Sequence, residues 1–462
     1  MSQPKKHFKK RKPTPRTIVR TIRPFREFLR LEASGGILLI ICIIVALVWA
    51  NSPLGWTYES LWNSLIIIGI PDAILSQPLN FWISDLLMVL FFFLIGLEIK
   101  RELIIGWLSS IQQAILPVIA AIGGMIVPAM IFSVLNPPGS FGASGWAIPT
   151  ATDIAIVLGI LGLFGNKIPT PLKVFVATLA IVDDIGGVLL ISLVYSHGLE
   201  IMYLAAAAGI MVILLILNNL EVRRKIAYGM LGILLWICLY FGGIHPTIAG
   251  ILLAMTIPAT RSIDYKEFID ISDQLIERLH KIVGPTSDET DPKAFLNTTQ
   301  TLEISCQEAQ APLQRLEHDL TQWVVFVIVP LFTLANAGLI FSSDTLNALA
   351  TPMSIGIILA LVFGKPIGIL GALFISDKLG LIKMPTTFSR NMLIGSSLLC
   401  GIGFTIAIFI SSLAFADPVL LDGAKGAILL ASTISAIIGI LFLRWEIKRE
   451  AEKQKIENYQ GF

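Results

Sequence analysis

Ala180-Ile181-Val182-Asp183-Asp184-Ile185-Gly186-Gly187 sets two adjacent carboxylates in the middle of an apolar run, 174–195. A run of this length matches the ~20 residues that a helix needs to cross ~30 Å of hydrocarbon. An ionised group at mid-membrane costs at least ~2.5–3.5 kcal/mol, so a doublet there asks for a chemical reason. Adjacent residues stand about 100° apart round a helix, so neither carboxylate hides behind the other. Two neighbouring carboxylates in a partly dry site resist joint ionisation. Such a pair holds a proton, or a small hard cation in its place.

Eleven further apolar runs flank this one: 34–50, 81–97, 113–134, 144–164, 201–219, 226–242, 244–258, 323–341, 353–375, 391–415 and 426–443. Hydrophobic residues make up 55% of the 462 and charged residues 14%, against roughly 25% charged in soluble domains. That composition excludes an ordinary soluble protein, and its wealth of Leu, Ile, Val and Phe excludes a disordered one. The pattern predicts an all-α polytopic membrane protein with twelve transmembrane helices. A membrane barrel would instead show alternating segments of about ten residues. The four cysteines, Cys42, Cys238, Cys306 and Cys400, lie far apart with no C-x-x-C spacing, which indicates neither a disulfide framework nor a zinc site. No cofactor is expected. Because 33 residues precede the first run, a cleaved signal peptide is disfavoured.

Charge sets the topology. The 34 Lys and Arg nearly balance the 32 Asp and Glu, but they are not evenly spread. Eleven basic residues precede Leu31, and alternate short loops carry Lys100, Arg101, Lys167, Lys173, Arg223, Arg224, Lys225, Lys378, Lys383 and Arg390. The opposite loops hold Lys425 alone. The positive-inside rule then assigns both termini to the cytoplasm. The expected organisation is a basic cytoplasmic tail at 1–33, helices 1–8 in 34–258, a long cytoplasmic loop at 259–322, helices 9–12 in 323–444 and a cytoplasmic tail at 445–462. The first tail is expected to be disordered and to rest on anionic membrane lipid. The loop has twelve acidic residues against six basic ones. Ile263, Phe268, Ile271, Leu275, Leu279 and Ile282 recur in it at helical spacing, predicting one amphipathic helix followed by a polar stretch. Near-neutral balance argues against a nucleic-acid partner.

Five ionisable residues fall inside the spans: Asp85, Asp153, Asp183, Asp184 and Lys365. Asp85 stands near the start of its span and is a secondary candidate. Lys365 sits centrally, too deep to snorkel, and must find a carboxylate or lose its proton. Asp153 follows Pro149-Thr150-Ala151-Thr152. Pro149 lacks a backbone donor, so an unwound stretch is expected at 149–153. Such backbone is tolerated at membrane depth only in protein or along a cavity. Gly401 and Gly403, in Leu399-Cys400-Gly401-Ile402-Gly403-Phe404-Thr405, mark a second candidate break. Spans three to five and ten to twelve are seven spans apart, an odd offset. The triplets therefore run in opposite senses, with breaks in helices 4 and 11. Interrupted helices in two inverted repeats point to a transporter's ion site.

Five motifs in this order resemble the NhaA-type sodium/proton antiporters: Gly96-Leu97-Glu98-Ile99-Lys100-Arg101-Glu102-Leu103, Thr152-Asp153, Asp183-Asp184, Phe363-Gly364-Lys365-Pro366 and Cys400-Gly401-Ile402-Gly403-Phe404-Thr405. The resemblance runs from about Arg30 to Arg444. It implies Asp184 as the main cation ligand, with Asp183 and Thr152 beside it. It implies that Asp183 pairs with Lys365 and releases it as the cation binds. Asp153 would offset two helix N-termini, and Lys365 the facing C-termini. Glu98, Arg101, Glu102, Glu317 and His318 resemble a cytoplasmic cluster tied to pH regulation. His245 matches an extracytoplasmic histidine of similar role. A homodimer is implied, using the segment 51–80. Two departures stand out: the loop before Glu317 is long, and Thr321 occupies the place of a second histidine.

The function so implied is export of Na+ or Li+ in exchange for protons, electrogenic and pH-regulated, at a multi-pass bacterial inner-membrane protein that is not an enzyme. One alternative is a sodium-coupled symporter of an organic anion. An intramembrane aspartyl protease using Asp153 and Asp184 lacks its Gly-x-Gly-Asp motif, since Gly401-Ile402-Gly403 ends in Phe404. A prenyltransferase would need an acid where Gly187 stands.

Overall fold

A computed structural model describes residues 17–70, 73–194, 198–261, 263–283, 291–382 and 388–460. Among them, seven helices are long and apolar enough to cross a membrane, or nine if each of two bent helix pairs counts as one span. The remaining apolar runs also form helices, some of them short: Lys225–Phe241 has 17 residues and Ile248–Thr256 has nine.

The all-helical expectation fails in one place. Leu65–Ile70 pairs antiparallel with Ala73–Pro78, in the register Leu65↔Pro78 to Ile70↔Ala73. The successive residues Ile66, Ile67 and Ile68 are β-branched and suit a pleated surface better than a helix. The segment between the first two spans is thus a hairpin, preceded by the short helix Gly55–Trp62.

Disorder of the basic tail is also corrected, from Thr17 onward. Helix Thr17–Ala50 carries it without interruption into the first span. Residues 1–16 of that tail lie outside the described residues. The loop 259–322 is richer than the single helix expected. It holds Tyr265–Ile282 and Pro292–Glu308, and from Pro312 onward it already belongs to the helix Pro312–Asn336. Leu313 and Glu317, four apart on one face, are buried there against the membrane body, which extends that helix beyond its apolar run. On the exposed Tyr265–Ile282 helix, Lys281 lies 2.9 Å from Glu277 and holds its carboxyl below the usual value.

Close helix crossings rely on glycine. A Cβ on Gly123 would stand 2.3 Å from the Gly368 carbonyl oxygen, and one on Gly368 would stand 2.1 Å from that of Gly123. The helices Ile111–Leu135 and Pro352–Lys378 therefore touch backbone to backbone, as small residues allow inside membranes. This contact brings the Lys365-bearing helix up to the rest of the site. One turn of that helix, Ala360–Gly364, is π-wound immediately before Lys365. The extra residue per turn shifts the radial direction of Lys365 and the residues after it.

Candidate functional site

Two chain segments stop being helical and face each other. The first runs as a tight 3-10 helix from Ala143 to Thr150, extends through Ala151, and restarts as Ile154–Leu163. Pro149 contributes no N–H to this stretch, which weakens continuous α-helix there. The second breaks between Arg390–Leu399 and Phe404–Ala414, with a bend of 43°. A Cβ on Gly401 would lie 2.5 Å from the Leu361 carbonyl oxygen, so the break fits against its neighbour only with glycine. Gly403 is less constrained, its nearest contact being 3.1 Å away.

Asp153 joins the two segments. Its backbone N–H donates to the Ile402 carbonyl at 2.7 Å. Its Oδ1 accepts from the Ile156 N–H at 3.1 Å. Its Oδ2 accepts from the Thr405 N–H at 3.0 Å and from the Thr405 hydroxyl at 2.7 Å. One carboxylate therefore caps the N-termini of both half-helices, where the macrodipole is positive.

Lys365 plays the opposite part. Its Nζ donates to the Thr150 carbonyl, the last residue of the 3-10 helix, and lies 2.8 Å from Asp183 Oδ2. Both side chains of this ion pair are 0% exposed. The Thr152 hydroxyl lies 2.9 Å from Asp183 Oδ2 and 3.1 Å from the Cys400 carbonyl. A hydroxyl has one hydrogen, so it serves one of these acceptors at a time.

One oxygen of each carboxylate is left over. Among the described residues, Asp183 Oδ1 and Asp184 Oδ1 are both buried without a hydrogen-bond partner. Buried polar atoms are almost always satisfied, so two orphans on adjacent residues are unusual. Oxygens of this kind suit a proton or a hard cation.

Two further groups flank this centre, and Glu98 of the first lines one cavity with Asp153 and Thr405. Arg101 bridges Glu317 at 2.5 Å and Glu102 at 2.9 Å. Glu98, one turn before, is buried against the same group. His318 stays exposed beside it. Asp85 and His245 form a pair on their own, 3.3 Å apart, with the other ring nitrogen of His245 at 2.8 Å from the Thr247 hydroxyl. The His245 ring meets Phe409 of the second half-helix edge-on at 5.4 Å.

Sequence reasoning misses some of the site's members. Thr405 ends the glycine motif, but its role comes only from facing Asp153. The carbonyls of Thr150 and Cys400 carry no residue-type signal at all. Lys100 donates to the carbonyls of Met255 and Ile257, 2.6 Å each, and so closes the C-terminal end of the short Ile248–Thr256 helix.

Residues 26–443 match a family described as Na+/H+ antiporter 1. The chain is 42% identical over 440 residues to a protein named Na(+)/H(+) antiporter NhaA from Oleidesulfovibrio alaskensis, covering 95% of this chain and 98% of that one. It is 42% identical over 424 residues to a namesake from Koribacter versatilis, with 91% of each chain covered. It is 39% identical over 432 residues to one from Proteus mirabilis, covering 93% of this chain and 99% of the other.

Proposed function

This chain belongs to the Na+/H+ antiporter 1 family, and we propose that it exports Na+ in exchange for protons, with Asp184 and Asp183 as the shared site. The reading rests above all on one observation: among the described residues, the buried oxygens Asp183 Oδ1 and Asp184 Oδ1, on neighbouring residues of one helix, lack a partner. Li+, with the same preference for oxygen ligands, is accepted too. The protein is a transporter rather than an enzyme.

In the cycle, a cation reaching Asp184 draws Asp183 away from Lys365, and Thr152 turns its hydrogen to the Cys400 carbonyl. Protons then compete for the same carboxylates once the site opens to the other side. Asp153 and Lys365 keep the half-helix ends neutralised while this happens. More than one proton returns for each Na+. Net charge therefore crosses the membrane, and the potential drives the cycle at ~2.3 kcal/mol per charge per 100 mV. The group Glu98, Arg101, Glu102, Glu317 and His318 sets the pH response from one end, and His245 with Asp85 from the other.

The wider architecture belongs to the same proposal. Twelve spans carry inverted triplets broken in helices 4 and 11, the organisation runs as 1–33, 34–258, 259–322, 323–444 and 445–462, and both termini face the cytoplasm of a bacterial inner membrane. Two copies associate through the outer hairpin, whose Leu65 and Ile67 are exposed.

The test is reconstitution into sealed vesicles. With an acid interior and Na+ or Li+ added outside, the pH gradient should collapse faster with protein than without. A cation-independent rate would refute exchange. Insensitivity of the flux to an imposed potential would refute electrogenicity.

A further inference from the structure

A cavity of about 250 Å³ opens where the helix Lys225–Phe241 begins, walled on its far side by the insertion 259–322. Arg223, Lys225 and Arg315 line it, against one lining carboxylate, Glu308. Two of these cations have acidic neighbours: Lys225 reaches Asp319 at 2.7 Å, and Arg223 reaches Glu221 at 3.2 Å. Arg315 donates to Gln307 at 3.0 Å. A guanidinium has five donors and an ammonium three, so each keeps hydrogens to offer.

The helix start beside the cavity is electrostatically incomplete. Its N-cap, Arg224, makes no side-chain cap bond, and no acidic residue stands in the first turn. Helix starts favour oxygen acceptors and negative charge. Here Arg223, Arg224 and Lys225 crowd the positive end instead. One turn in, Tyr228 lines the cavity at 4% exposure, and its hydroxyl is buried with no partner among the described residues. An unpaired buried hydroxyl is costly, and this one lacks an acceptor. The Leu313 N–H, in the insertion's last helix, donates to the Pro258 carbonyl at 3.2 Å and joins the two sides of the cavity's wall.

We infer that this cavity binds a small soluble anion bearing a phosphate group. The phosphate oxygens take hydrogens from Arg223, Lys225, Arg315 and the Tyr228 hydroxyl, while Ile304 and Leu316 accept an apolar portion of the ligand. Occupancy ties the insertion to the membrane body, because the wall is drawn from both.

The experiment is thermal unfolding of the purified full-length protein in neutral detergent, titrated with inorganic phosphate, pyrophosphate or AMP. Sodium and ionic strength are held constant with chloride salts. A saturable rise in Tm is expected with the phosphate compounds and none with chloride. Arg315→Gln should weaken the apparent affinity about tenfold, and Lys225→Gln should weaken it as well. Tyr228→Phe should leave the unliganded protein at least as stable, since an orphan hydroxyl is gone, yet shrink the shift given by phosphate. Arg444→Gln, at an exposed position that does not line the cavity, should keep the full shift. The inference is overturned if no phosphate compound gives a saturable shift, or if the shift survives both Arg315→Gln and Tyr228→Phe. A shift given only by vesicles of phosphatidylglycerol, and not by the soluble compounds, also overturns it.

Discussion

Lys365 Nζ stands 2.8 Å from Asp183 Oδ2, and neither side chain has any exposed surface. Breaking such a pair from one side leaves an uncompensated buried charge, at a cost of about 3–5 kcal/mol. Lys365→Met alone should therefore lower Tm markedly. Adding Asp183→Asn should restore much of the loss, although neither variant transports normally. Thermal unfolding of the single and double variants checks this, and a double variant no more stable than the single would contradict it.

Asp184 has no cation to compensate it at hydrogen-bond distance, so the opposite stability sign is expected there. Asp184→Asn exchanges a costly buried carboxylate for a neutral amide, and Tm should stay level or rise. Sodium-dependent proton flux in vesicles should fall to background. Flux at the wild-type rate would remove Asp184 from the transport site.

Asp153 receives the Thr405 N–H and hydroxyl together. Thr405→Val removes one of these donors and should cost about 1 kcal/mol. Asp153→Asn keeps an acceptor but loses the charge facing two helix N-termini, and should cost about 1–2 kcal/mol. Denaturation midpoints in detergent measure both. The ordering fails if Thr405→Val proves the more damaging.

Gly368 admits no side chain without moving a backbone, since a Cβ there would lie 2.1 Å from the Gly123 carbonyl oxygen. Gly368→Ala must push the two helices apart and should destabilise by about 1–3 kcal/mol, with reduced transport through the displaced Lys365. Gly371→Ala meets nothing within 4 Å and serves as the comparison. Equal Tm values for the two would show that the crossing is not tight.

Glu98 is buried beside Arg101 and Glu317, whereas His318 is exposed. Glu98→Ala should move the half-maximal pH of exchange while leaving measurable flux, and His318→Ala should move it less because solvent screens that ring. Flux recorded across a pH series gives both profiles. If both match the wild type, the cluster has no part in pH response.

Hydropathy and charge made the helical spans, the buried Asp153, Asp183, Asp184 and Lys365, the half-buried Asp85 and both helix breaks readable in the sequence. Pro149 signalled its own backbone behaviour, because a missing N–H acts locally. Gly401 marked the second break through packing instead, its missing Cβ leaving room for the Leu361 carbonyl. Signals of another kind were harder to read. The hairpin at 65–78 sits beside long helices and has no helical periodicity of its own to contradict them. The helix from Pro312 hides its start in polar residues, because Glu317 is buried by Arg101 rather than by apolarity.

The membrane class, the approximate spans and the list of charges within them were determined by the sequence alone. They depend on the cost of transferring each residue into hydrocarbon, which is set by nearby residues only. Tertiary structure decided which of those charges meet. Asp153 and Thr405 are 252 positions apart, and Lys365 and Thr150 are 215 apart. Their encounters depend on two broken helices crossing and on Gly123 and Gly368 letting backbones touch. The unpartnered oxygens of Asp183 and Asp184 exist for the same reason. Whether a buried carboxylate is satisfied depends on what the fold brings within about 3 Å of it, and that distance has no counterpart along the chain.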